Sequence, residues 1–159
     1  MLDEQVAKEI RFQLAMLERL LTSYEALLTR VAQQPEQAIS LIETTALASV
    51  LHSFYNGLES IFQLIAKRVD GQTPTSERWH QTLLEQMTST TPNRNVVLTV
   101  ETKIRLQDYL AFRHFYRHSY SFFLDWRRIA LLIVPLAEVA LTVRAEIEKW
   151  LDNPTPANQ

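Results

Sequence analysis

Two glycines, Gly57 and Gly71, serve a chain of 159 residues. Hairpins and tight turns draw on Gly, Asn and Asp for backbone with positive φ. A chain so poor in glycine argues against sandwiches, barrels and Gly-rich phosphate loops. Neither GxGxxG nor GxxxxGK occurs, which excludes Rossmann and P-loop nucleotide sites. Apolar residues make up 47% and charged residues 21%, the balance of a globular domain and not of a disordered chain. The length corresponds to one domain.

The hydrophobic pattern is helical throughout. Val6, Ile10, Leu14, Leu17, Leu21 and Leu28 recur at spacings of three, four and seven, predicting one long helix over residues 2–33. Pro35 ends it and suits the first turn of the next. Ile39, Ile42, Ala46, Val50, Phe54, Leu58, Ile61 and Ile65 predict a second helix over 36–69, ended by Asp70 and a left-handed Gly71. Gly57 lies inside that helix. A mid-helix glycine costs roughly 1 kcal/mol against alanine, which points to close packing of another helix there. Thr75 or Ser76 can cap a third helix reaching about Thr88, anchored by Leu83, Leu84 and Met87. A turn-rich segment, Thr90–Asn95, precedes a fourth helix from about Thr99 to Tyr120. A fifth runs from Asp125 to Leu151 with a kink at Pro135. The expected fold is an all-α, up-and-down bundle of four to five helices over 1–151, followed by a flexible polar tail, 152–159.

Several classes fall away on composition. Cysteine is absent, which removes disulfides, thiolate catalysis and Cys-based metal sites and fits a cytoplasmic protein. The acidic start, Met1-Leu-Asp-Glu, does not resemble a signal peptide. The most apolar run, Ile129–Val143, is shorter than the roughly 20 residues of a membrane span. Net charge is −2, so a nucleic-acid role needs a local basic patch.

One such patch exists. Between Arg105 and Arg128 five arginines stand against two aspartates, with Tyr109, Phe112, Phe115, Tyr116 and Tyr120 interleaved. Positive charge with aromatic rings suits an anion carrying stackable bases. On an ideal helix Arg113, Arg117 and Tyr120 share a face, with His114 and His118 forming an i, i+4 pair beside it. Arg113 and His118 lie about 140° apart. They converge on one phosphate only through the length of Arg113, a loosened helix end, or a second chain. Histidine moves protons near neutral pH and arginine neutralises phosphate charge, which together suffice for RNA cleavage by the 2′-OH without a metal. His114 and His118 alone make a poor zinc site, with no Cys and no intervening HExxH-type Glu.

The segment Arg113-x4-His118-x-Tyr120 resembles the RX4HXY motif of HepT-type toxins of the HEPN superfamily. Phe54–Gly71 is similar to that family's second helix. The resemblance implies a metal-independent ribonuclease toxin without a cofactor, with Arg113 and His118 as the catalytic pair and a cleft shared by a homodimer. It further implies a nucleotidyltransferase antitoxin of the MntA type that transfers AMP to Tyr120, blocking RNA by charge and bulk. The residue after the motif arginine is commonly Asn and is His114 here, so His118 acts as acid and base alone or shares the work with His114. Arg117 is the expected phosphate contact. Glu59 either supports Arg113 or faces solvent. His52 and His80 read as ordinary polar positions, and Phe115, Phe122, Phe123 and Trp126 as core or dimer seam.

A second class stays open: a catalytically inactive HEPN bundle that only docks a nucleotidyltransferase. An intact motif favours the enzyme, since a scaffold has no physical need for both Arg113 and His118. The unbroken apolar run Ile129–Ala137 independently predicts burial against a core or a two-fold partner.

Overall fold

The computed structural model describes residues 2–118, 120 and 124–156. Among them are seven α-helices: α1 (Glu4–Ser23), α2 (Glu25–Gln33), α3 (Leu41–Ile65), α4 (Trp79–Gln86), α5 (Val100–His118), α6 (Trp126–Ile133) and α7 (Leu136–Asp152). A π-helical turn, Ala66–Asp70, extends α3. The fold is an all-α bundle, as the periodicity predicts.

Helix α3 lies at the centre, packed by α1, α4, α5 and α6. Its buried residues include Leu47, Leu51, Phe54, Tyr55, Leu58, Ile61 and Ile65, which are covered on several sides. A capping box starts it: the Ser40 hydroxyl accepts from the Glu43 amide at 3.1 Å while the Glu43 side chain accepts from the Ser40 amide. That box moves the start to Leu41, five residues later than a helix opened by Pro35. At the other end Gly71 takes φ 69°, the left-handed conformation expected of it. A Cβ on Gly57 would stand 2.4 Å from Leu17 Cδ2, so α1 crosses α3 where only glycine fits without movement.

Two long runs are each divided. Residues 2–33 break at Tyr24, whose φ of −108° leaves the helical range. The run after Asp125 is cut in two at Val134-Pro135, because proline has no N–H for the α6 ladder; α7 then starts afresh. The third helix begins at Trp79, with Arg78 and not Thr75 or Ser76 at the cap position and no side-chain cap. The fourth ends at His118; its expected extension toward Tyr120 runs through Ser119, which lies outside the described residues, as do Phe122 and Phe123.

The turn-rich segment before α5 is fixed by a buried side chain. Arg94 is fully buried and spends all five N–H groups. Nε and Nη2 bind the Asp70 carboxylate at 2.7 and 2.8 Å. Nη1 donates to the carbonyls of Ser89 and Asn95, and Nη2 also to that of Gln86. Gln86 closes the ring by donating to Asp70 at 2.6 Å. The end of α3, the end of α4 and the approach to α5 are thereby one unit. Asn95 next door binds the carbonyls of Asn153, Pro154 and Thr155. The start of the tail is therefore tied to the bundle, where composition alone suggests fraying.

No helix among the described residues is long and apolar enough to cross a membrane.

Candidate active site

Three polar residues of α3 make a stripe. His52, Asn56 and Glu59 follow at i, i+4 and i+7, on one face of the helix. Helix α5 lays Arg113 across that stripe. Arg113 is only 8% exposed and Glu59 only 5%. The Arg113 Nη2 stands 3.2 Å from Glu59 Oε1, and its Nε donates to Asn56 Oδ1. Glu59 thus faces Arg113 and not solvent. Its second oxygen, Oε2, is held by His80 Nδ1 from α4 at 2.7 Å. The carboxylate is clamped between a guanidinium and an imidazole.

Asn56 carries the order further. Its Oδ1 is occupied by Arg113, so its Nδ2 donates to His52 Nε2 at 2.9 Å. That bond places the His52 proton on Nδ1, a buried nitrogen with no protein partner among the described residues. Burial, then the positive charges of Arg113 and Arg117, hold the His52 imidazole below its ordinary value of 6.5. The ring lies 4.7 Å from that of Tyr116. Tyr55, one residue before Asn56, is wholly buried; burial first, then the Glu59 charge, push its hydroxyl upward, opposed by Arg113.

The other motif residues occupy the end of α5. Arg117 and His118 fill its last turn, where cations complement the carbonyl end of a helix. Both are exposed, and the rings of His114 and His118 lie 4.8 Å apart. Tyr120, two residues on, is 71% exposed. No hydrogen bond or ion pair joins Arg113 to His118 among the described residues. Arg113 points to α3, whereas His118 points outward from an intact helix. Phe115 is 42% exposed, while Trp126 is half-buried with its indole N–H on the Pro35 carbonyl at 3.1 Å.

A cleft of about 500 Å³ opens between α4 and α5. Arg78, His80, Arg113 and His114 supply its cationic and imidazole groups, Glu77 and Glu85 its acidic ones, Leu84, Leu110 and Ala111 its apolar wall. The sequence model of the HepT-like protein family matches residues 46–153. The chain belongs to that family. The match runs from Ala46 in the second turn of α3 through α7 and includes every residue of the stripe, the cleft and the α5 end. No curated protein and no solved structure matches the chain.

Membership of the HepT-like family suggests a HEPN-type toxin–antitoxin component, and that family is generally associated with ribonuclease activity. The HepT-like site differs from a reading centred on α5 alone. His52 and His80 are not ordinary polar positions, for both are bonded into the Arg113 cluster. Asn56, which links two of its members, has no catalytic signature of its own. The 52-56-59 spacing is the signal that could have found it. Nothing comparable marks His80, which reaches Glu59 only because α4 folds back over α3.

Proposed function

We propose that this chain is a metal-independent endoribonuclease, the toxin of a HepT/MntA-type pair, with Arg113 and His118 as its catalytic residues. The observation that carries the reading is the clamp on Arg113. Guanidinium held by both Asn56 and Glu59 is preorganised, and a preorganised cation stabilises developing phosphate charge without reorganising at the moment of reaction. Nη1 makes no hydrogen bond or ion pair among the described residues and is the group left for a phosphate oxygen. His118 moves the protons, with His114 beside it and Arg117 holding the RNA backbone. A nucleotidyltransferase adds AMP to Tyr120, whose exposure suits an approaching enzyme.

Because Arg113 and His118 diverge on one helix, the reading calls for a homodimer in which a second copy completes the cleft. Leu131, Val134 and Leu141 support it: these large apolar side chains stand exposed on α6, in the two-residue link after it and on α7.

RNA cleavage by wild type and His118→Ala, with EDTA present and the protein prepared without an antitoxin, tests the assignment. Cleavage that disappears in the variant, with the circular dichroism unchanged, is expected. Its persistence at the wild-type rate removes His118 from the chemistry. The inward turn of Arg113 also favours one other reading, an inactive docking module in which the guanidinium only braces α3. Absence of cleavage by wild type on transfer, ribosomal and messenger RNA would select it.

A further inference from the structure

His80 stands on the opposite side of the Glu59 carboxylate from Arg113, and both side chains border the same cleft. Its Nδ1 is committed to Glu59 at 2.7 Å. Glu59 is almost wholly buried and is ion-paired with Arg113 as well, so it stands as a carboxylate whose oxygens act as acceptors toward the ring. A carboxylate in that position takes the Nδ1 proton as its hydrogen bond and leaves Nε2 as the free lone pair. Nε2 has no protein partner among the described residues. The Trp79 ring, stacked on the imidazole at 3.6 Å between centroids, restricts its rotation. A fixed tautomer, a fixed ring and a buried carboxylate behind it are the three features of an oriented general base. The cleft in front has a suitable size for a nucleotide, with Arg78 and Arg113 as cations and Leu84 and Leu110 as an apolar wall.

Resting on the ribonuclease reading above, we propose that His80 is a second catalytic histidine, the base that accepts the proton of the attacking RNA 2′-hydroxyl, with Glu59 as its positioning residue. The 2′-O–H bond breaks and its proton passes to His80 Nε2. The 2′-oxygen forms a new bond to phosphorus, and the bond from phosphorus to the 5′-oxygen breaks. His118 supplies the proton that the departing 5′-oxygen takes up. The products are a 2′,3′-cyclic phosphate and a 5′-hydroxyl, with no net change in protons once the two histidines exchange with water. The imidazolium formed at His80 is paired with the Glu59 carboxylate, which is where a buried negative charge is of most use. Arg113, on the other oxygen of that carboxylate, faces the phosphate from beside the base.

The test compares wild type, His118→Ala, His80→Ala and His80→Gln on the same RNA. His80→Ala should lose at least about 100-fold in cleavage rate, the lower end for a general base, and recover activity on addition of free imidazole. His80→Gln keeps an N–H donor for Glu59 but has no lone pair of suitable basicity, so it should be as slow as His80→Ala and show no recovery. Wild-type rates in His80→Gln would reduce His80 to a support for Glu59 and overturn the proposal. So would wild-type rates in His80→Ala beside an inactive His118→Ala, a result that leaves the ribonuclease reading standing. An inactive wild type overturns both together.

Discussion

Arg94→Met tests the unit that holds α4, and with it His80, against the bundle. The substitution keeps an apolar stem and removes a guanidinium whose five N–H groups are all in use. What remains is the Asp70 carboxylate, 3% exposed, with Gln86 as its hydrogen-bond partner. The Ser89 and Asn95 carbonyls lose the same donor. Removing one partner of a buried ion pair costs about 3–5 kcal/mol, because the uncompensated charge stays buried. Against a total stability of roughly 5–15 kcal/mol, that is about a fifth or more. With a urea slope of about 2 kcal/mol per molar, the unfolding midpoint should fall by about 1.5–2.5 M. The double variant Asp70→Leu/Arg94→Met removes the stranded carboxylate and should regain part of the loss, giving a coupling of roughly 0.5–3 kcal/mol. A midpoint shift below about 0.5 M in the single variant, or a double variant as unstable as the sum of the two singles, would refute the reasoning.

Three further outcomes follow from the same structure. The His52 imidazole is held below 6.5 in the folded chain, so below that pH the unfolded chain takes up a proton that the folded one resists, and stability should fall as pH drops toward the folded value. The urea midpoint of wild type should therefore decline more between about pH 7.5 and 5.5 than that of His52→Gln; parallel declines would sink the argument. Gly57→Val should destabilise by roughly 1–3 kcal/mol through its clash with Leu17. Truncating Leu17 to Ala in the same chain should make the valine less costly there, and thermal melts of the four chains decide it. Tyr55→Phe removes a buried hydroxyl that has no protein partner among the described residues, and should be neutral or stabilising by up to about 1 kcal/mol. A loss of more than that in a thermal melt would mean the hydroxyl is bonded in solution.

What the sequence determined by itself was the helical content, the core faces and the stretch of chain that carries the chemistry. Period-3.6 patterning is a local property, and so is the scarcity of glycine, which is why Val6, Phe54, Ile65 and Leu83 could be assigned to the interior before any packing was known, although Ile42 of the same pattern stands exposed. Gly57 and Gly71 were legible for the same reason, since one helix interior and one helix end each present a glycine with a specific use. Arg113 and His118 stood out because a motif is a local spacing.

The tertiary structure decided what those residues touch. The break at Pro135 and the capping box at Ser40 are local in cause, whereas nothing in the sequence marked the break at Tyr24. The partners of Arg113 come from one helix more than fifty residues away in the chain, Asn56 and Glu59, and His80 joins them from a third helix. Arg94 lies in a segment that reads as a polar turn, yet it is fully buried because Asp70 happens to face it across the end of α3. Burying a charge is favourable only where a partner waits in fixed geometry, and such a partner is a property of the assembled bundle, which no window of sequence contains.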